Sequence, residues 1–205
     1  MGFDYQYSHM TPEKKSFLHD LGLKYKCDKC WVKCFCCPLK VKCSKKTSYL
    51  YNYEKFINKN STINILEIGV RDGASMKIWN EYLSHESNII GIDINPKCNQ
   101  CKDLNNVNVI IGDCNNKETI NKILKMNLNF NCILDDGSHY YKDITDSINF
   151  YYPLLKINGI YIIEDLATMN RISNKNINDL KIFIKNNLTN YKLYEYPEMI
   201  IIEKI

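Results

Sequence analysis

The feature that most limits the fold of this chain is a regular alternation, from Ile63 onward, of short β-branched runs with amphipathic helical stretches. Ile63 to Ile68, Asn88 to Asp93, Val107 to Ile111, Asn131 to Asp135 and Gly159 to Glu164 read as strands. Between them, Ala74 to Leu83, Glu118 to Met126 and Asp143 to Leu155 read as helices, with a further helix over Asn178 to Asn187. The strand runs are apolar at nearly every position, which suits burial on both faces, as in a parallel sheet. Strands that alternate with helices predict a doubly wound α/β domain with a mostly parallel sheet. Tyr191 to Tyr196 and Met199 to Glu203 flank Pro197 closely enough for a hairpin, so the far edge is expected to be antiparallel.

The segment before this pattern has a different character. Thr11-Pro12-Glu13 has the form of a helix start, with Thr as cap and Pro in the first turn. That helix is expected to reach Leu21 and stop at Gly22. Lys24 to Lys46 is basic and cysteine-rich, and Thr47 to Asn58 reads as a second helix with a stripe of Tyr49, Tyr53 and Phe56, a core pattern. The chain thus divides into a helical, Cys-rich extension over 1–46, a cap or lid, and an α/β domain over 47–205.

Composition narrows the class. The chain has 205 residues, 27 basic and 23 acidic, for a net charge of +4. That balance gives no charge-based case for a nucleic-acid partner. No apolar run approaches the roughly eighteen residues of a membrane span, and Met1 to Met10 carries no apolar signal core. No membrane partner and a cytoplasmic location are the expectation. Of the ten cysteines, Cys27, Cys30, Cys34, Cys36, Cys37 and Cys43 cluster, and Cys98, Cys101, Cys114 and Cys132 are scattered. A reducing compartment suits this layout better than a secreted disulfide scaffold. Cys27, Cys30, Cys34 and Cys37 are candidate ligands for a structural Zn²⁺, since thiolates hold it tetrahedrally. Their spacing matches no familiar module, so free thiols or a disulfide-linked insertion remain alternatives.

Chemistry is expected at the carboxyl ends of the strands, where open α/β sheets bind ligands. The first strand runs into Glu67-Ile-Gly69-Val-Arg-Asp-Gly73, whose glycines permit a sharp turn and a close approach to a ligand. The helix that follows, beginning near Ser75, favours a negative group at its start. Asp93 ends the second strand, about twenty residues past the loop, where an acid accepts hydrogen bonds from ribose hydroxyls. Gly112-Asp113 follows the third strand, beside where an adenine would lie. These residues point to a nucleoside-containing ligand; the Gly-x-x-x-Gly spacing speaks against a dinucleotide. Asp135-Asp136-Gly137-Ser138-His139 and Glu164-Asp165 end the fourth and fifth strands. Carboxylates gathered at one point repel unless a cation neutralises them, and oxygen donors of this kind suit Mg²⁺ or Mn²⁺.

Taken in order, Leu66-Glu-Ile-Gly-Val-Arg-Asp-Gly73, Gly91-Ile-Asp93, Asp135-Asp-Gly-Ser-His139 and Gly159-Ile-Tyr-Ile-Ile-Glu-Asp-Leu166 resemble class I S-adenosylmethionine-dependent methyltransferases. More narrowly they are similar to the metal-dependent sugar O-methyltransferases of macrolide biosynthesis, over roughly Thr47 to Glu203. The resemblance implies a Rossmann-like fold. It implies Glu67, Gly69, Gly73 and Ser75 around the methionine part of S-adenosylmethionine, Asp93 on its ribose, and Asp113 and Asp135 nearby. It further implies Asp136, Glu164 and Asp165 as Mg²⁺ ligands, with Asp136 and His139 catalytic and His139 the general base. The implied reaction is methyl transfer to a hydroxyl of a sugar, sugar nucleotide or glycan, by a homo-oligomer. The alternatives are methyl transfer to another small molecule or an amine, or a zinc-stabilised module that binds nucleic acid or protein on a methyltransferase-like scaffold. The family's Asp-Lys-Gly stretch, followed by a His and two Tyr, survives here as fragments: Cys27-Asp28-Lys29-Cys30 and Thr47-Ser48-Tyr49 to Tyr53, with Thr47 in place of the His.

Overall fold

The computed structural model describes residues 16–30, 49–196 and 198–205. The expected helix cap at Thr11, the thiols of Cys34, Cys36, Cys37 and Cys43, and Pro197 lie outside the described residues. Seven strands form one sheet: β1 (Asn64–Ile68), β2 (Asn88–Asp93), β3 (Val107–Ile111), β4 (Phe130–Asp135), β5 (Leu155–Ile163), β6 (Tyr191–Tyr196) and β7 (Met199–Lys204), in the order β3-β2-β1-β4-β5-β7-β6. The first five pair in parallel, and β7 joins β5 and β6 antiparallel, as the hairpin spacing around Pro197 predicts.

The helices are α1 (Phe17–Lys24), α2 (Tyr49–Tyr53), α3 (Ala74–Tyr82), α4 (Lys117–Lys125), α5 (Tyr141–Tyr151), α6 (Leu166–Ile172) and α7 (Ile177–Asn187). They cover both faces of the sheet. Successive strand side chains point to opposite faces, so Ile65, Ile89, Cys132 and Ile162 join one core with Leu18, Leu50, Tyr53 and Trp79. Leu66, Ile90, Ile133 and Ile163 join the other with Ile148, Met169, Leu180 and Ile184. This two-sided burial is why the strands read as unbroken apolar runs.

Three local expectations shift. First, α1 does not stop at Gly22; it is capped by the Ser16 side chain, which accepts from the His19 N–H, and runs on to Lys24. A Cβ on Gly22 would lie 2.2 Å from Cys30 Sγ and 2.4 Å from a Leu50 methyl, so this glycine serves close packing and not termination. Second, of the helix expected over Thr47 to Asn58, the described residues are regular over Tyr49–Tyr53 and not beyond. Third, Cys98 and Cys101, counted among the scattered cysteines, are buried together in a 3₁₀ turn over Pro96–Cys101 capped by Asn95.

Candidate functional site

The strand order reverses between β1 and β4, the place where doubly wound sheets open a crevice. A cavity of about 890 Å³ lies there at the carboxyl ends of the strands. Its floor is fixed by backbone hydrogen bonds that continue past the ladders. Gly69 N–H donates to the Ile92 carbonyl at 2.9 Å, and Asp136 N–H donates to the Ile68 carbonyl at 2.9 Å. The loop after β1 turns through Gly69 at φ 88° and Gly73 at φ 85°, both left-handed.

The residues expected around a nucleoside ligand do line this cavity: Glu67, Gly69, Ser75, Asp93, Asp113 and Asp135. Gly73 stands just behind, with a Cys101 sulfur 1.9 Å from where its Cβ would be. Asp93 is tied to the glycine loop, because Oδ2 accepts from Arg71 N–H at 2.5 Å and Oδ1 from Asn95 N–H at 2.7 Å. Glu67 is fully buried on β1, and its Oε2 accepts from the Trp79 indole at 2.8 Å. Its Oε1 has no hydrogen-bond partner. Burial pushes the Glu67 carboxyl up, against the pull of Lys29, Ser75 and Trp79. Asp135, also buried, accepts from Tyr161 Oη at 3.2 Å and Gly137 N–H at 3.3 Å, and burial pushes it up to about 7.

The acids of β4 and β5 fall into two adjoining groups that share Asp136. In the outer group, His139 Nε2 lies 3.9 Å from Asp136 Oδ1 and 3.7 Å from Asp165 Oδ2. Donor atoms of Asp136, His139 and Asp165 all fall within 4.8 Å of one another. His139 and Asp165 hold left-handed backbone, φ 61° and 53°, a sparsely populated region for such residues and a common companion of functional sites. In the inner group, the Lys29 ammonium lies 2.5 Å from Asp136 Oδ2, 3.1 Å from both Glu164 oxygens and 3.6 Å from Glu67 Oε1. Glu164 thus lies beside Asp136 on the same ammonium, next to the donor group of Asp136, His139 and Asp165. Burial raises Glu164 to about 7, with Lys29 pulling the other way. Burial raises Asp136 as well, again against Lys29. For Lys29, burial works downward, but Asp136, Glu164 and Glu67 together hold it well above its ordinary value.

Two contributors, both within the fragments of the family's Asp-Lys-Gly and Tyr stretch, were given no site role by the sequence. Lys29 sits in the basic run and becomes informative only through partners 107 and 135 residues away. Tyr49, read as core, is buried at its ring but donates its hydroxyl to Asp165 Oδ1 at 2.7 Å. Of the cysteines, Cys27 and Cys30 are buried free thiols. Cys30 Sγ faces the His19 carbonyl at 3.7 Å and Cys27 Sγ faces Asp28 at 3.9 Å. Among the described residues, no helix is long and apolar enough to cross a membrane.

No protein-family model matches the chain. Among curated proteins, it is 27% identical over 117 residues to demethylmacrocin O-methyltransferase of Streptomyces fradiae, covering 54% of this chain and 29% of that one. It is 30% identical over 117 residues to mycinamicin VI 2''-O-methyltransferase of Micromonospora griseorubida, again 54% of this chain and 29% of the relative. Among solved structures, MycE methyltransferase of the mycinamycin pathway, in complex with Mg, SAH and mycinamycin VI, superposes with a TM-score of 0.71 at 21% identity, over 94% of this chain and 54% of that one. A fibrillarin pre-rRNA processing protein of Methanococcus jannaschii shares the fold more distantly, with a TM-score of 0.54 at 12% identity over 72% of this chain and 68% of that one. The chain thus resembles macrolide-sugar O-methyltransferases in sequence and has the Rossmann-like fold of class I methyltransferases. It spans less than a third of the length of the curated relatives and about half of MycE.

Proposed function

We propose that this protein transfers a methyl group from S-adenosylmethionine to a hydroxyl of a sugar, sugar nucleotide or glycan, with a divalent cation, Mg²⁺ or Mn²⁺, at the acid cluster. The observation that carries the reading is the convergence of Asp136, His139 and Asp165 donor atoms within 4.8 Å, at the mouth of the cavity behind the glycine loop. Sequence likeness to two sugar O-methyltransferases supports the same chemistry.

The residues present fit both groups. The carboxylates of Asp136 and Asp165, with Glu164 the third acid assigned by the resemblance, are oxygen donors that suit a divalent ion, and the His139 Nε2 beside them is left for the base role. The cavity wall is rich in carboxylates, which complements a sulfonium cation. Glu67, Gly69, Gly73 and Ser75 are the residues assigned to its methionine part, Asp93 to its ribose, and Asp113 and Asp135 to the remaining nucleoside wall. The Oε1 of Glu67, which makes no hydrogen bond and lies 3.6 Å from the Lys29 ammonium, adds to this negative wall.

A sugar hydroxyl is a poor nucleophile, and a bound divalent ion lowers its pKa and fixes its direction. This chain's residues do the rest. Asp136 and Asp165 hold the acceptor end of the site, with Glu164 behind them on Lys29. His139 Nε2 faces that space and removes the hydroxyl proton as general base. Asp136 Oδ1 and Asp165 Oδ2, each under 4 Å from that nitrogen, stabilise the imidazolium that results. The departing thioether is neutral, so no acid is needed for the leaving group. Alignment of oxygen, methyl carbon and sulfur is then a matter of positioning.

The test is incubation with labelled S-adenosylmethionine and a panel of sugars and nucleotide-activated sugars, with Mg²⁺ or with EDTA. Label transfer to a sugar that EDTA abolishes supports the reading. Transfer unaffected by EDTA, or confined to amine acceptors, would refute it.

A further inference from the structure

A lysine almost never loses its water unless it is paired. The Lys29 side chain is only 3% exposed, and three acids from three different strand ends surround it: Glu67, Asp136 and Glu164. The 3₁₀ turn that carries it, Asp28–Cys30, is anchored on both sides. Cys27 and Cys30 are buried in the core beside α1 and α2, and Asp28 pairs with Arg71 of the glycine loop. The ammonium therefore sits on a fixed arm and is not a surface chain that has folded inward.

We propose that Lys29 is the positioning residue of the acid cluster, a built-in counter-ion that engages Glu164 and one oxygen of Asp136 and thereby leaves the other Asp136 oxygen facing His139 and Asp165. The inference deepens the function proposed above and rests on it for the role of the outer group. Its geometry is asymmetric. Asp136 Oδ2 lies 2.5 Å from Lys29, and Asp136 Oδ1 lies 3.9 Å from His139. One carboxylate thus bridges an inner group that Lys29 partly compensates and an outer group open to the cavity. Both Glu164 oxygens lie 3.1 Å from the ammonium, so Lys29 holds this acid beside Asp136. Lys29 thereby keeps the inner acids assembled next to the outer group.

The test needs neither cofactor nor acceptor, so it stands apart from whether methyl transfer is found. Melting temperatures are measured for the wild-type protein, Lys29→Met and Lys29→Met/Glu164→Gln, each in EDTA and in Mn²⁺. Removing one partner of a buried ion pair leaves uncompensated charge, so Lys29→Met is expected to melt on the order of 10 °C lower in EDTA. Mn²⁺ should restore more than half of that loss while raising the wild type much less. The double variant should recover at least half of the loss in EDTA. The proposal is overturned if Lys29→Met melts within about 2 °C of wild type, if Mn²⁺ acts equally on both proteins, or if the double variant melts no higher than Lys29→Met. That last result would show a role in packing alone. Should Lys29→Met not fold, the double variant decides: a folded protein supports the counter-ion role and an unfolded one overturns it.

Discussion

The Tyr49 hydroxyl and the Asp165 main chain and side chain form a closed pair: the hydroxyl donates to Oδ1 at 2.7 Å and accepts from the Asp165 N–H at 3.2 Å. Asp165 holds a left-handed backbone at φ 53° immediately before α6, a conformation that needs external support. Burial and the nearby Asp165 charge push the Tyr49 hydroxyl well above its ordinary range, so it stays protonated and able to donate. Tyr49→Phe removes both hydrogen bonds and the longer one to the Glu198 carbonyl at 3.4 Å. A hydrogen bond to a charged group contributes about 1.5–3 kcal/mol, less where the acid is partly exposed as here. The expected outcome is a modest loss of stability, roughly 1 kcal/mol, and a weaker apparent affinity for Mg²⁺ in the methylation assay. S-adenosylmethionine affinity should be unchanged, as calorimetry would report. A variant with unaltered Mg²⁺ dependence would remove Tyr49 from the site.

His139 is 17% exposed at its side chain, lines the cavity and lies beside Asp136 and Asp165, which are assigned to the acceptor end. His139→Ala is therefore expected to separate binding from turnover. General-base catalysis contributes about 10²- to 10⁴-fold, so methyl transfer should fall within that range. S-adenosylmethionine binding, followed by calorimetry, should stay within about threefold of wild type. Full activity in the variant would exclude the base assignment.

Much of this architecture was legible because the signals are local. The runs ending at Asp93 and Ile111 match β2 and β3 residue for residue, since turn residues and β-branched runs mark both ends. The helix α6 escaped the reading because its support is remote: the Glu198 side chain accepts from Ala167 N–H at 2.7 Å and the Glu198 carbonyl from Leu166 N–H at 3.1 Å. Asp165 gives it no side-chain cap, and the helix spans only seven residues, too few for a periodic pattern. The carboxylates of the site were found because strand ends carry them. Lys29 was not, because a lysine within a basic run looks solvated until the fold brings Glu67, Asp136 and Glu164 around it. Glu164 and Asp165 follow β5 directly, and it is the left-handed backbone at Asp165, which no motif marks, that sets how the two side chains part beyond the strand.

Asp93 does two jobs that a pair of substitutions can divide. Its carboxylate ends β2 at the nucleoside wall, and its two oxygens fix Arg71 N–H and Asn95 N–H. Asp93→Ala removes the charge and both loop contacts, so S-adenosylmethionine affinity should drop at least about tenfold, or roughly 1.4 kcal/mol. Asp93→Asn keeps one oxygen acceptor and should fall between the wild type and the alanine variant. Calorimetry on the three proteins checks this; an alanine variant with wild-type affinity would exclude Asp93 from the cofactor site.

The two glycines of the loop should fail for different reasons. A Cβ at Gly73 would sit 1.9 Å from Cys101 Sγ, and at Gly69 it would sit 2.0 Å from the Asp136 carbonyl oxygen. Both have positive φ, so alanine at either carries a strain of about 1–2 kcal/mol before any contact. The Gly73 obstacle is a side chain that can be truncated, whereas the Gly69 obstacle is backbone. In a Cys101→Ala background, Gly73→Ala should therefore cost about that strain alone, and distinctly more in the presence of the sulfur. Chemical denaturation of the four proteins of that cycle gives the coupling, and additivity would contradict the contact. Gly69→Ala has no such rescue. It must displace the Asp136–Gly137 peptide, which carries the acid shared by His139 and Lys29, so methylation and Mg²⁺ dependence should both suffer even where the protein remains folded.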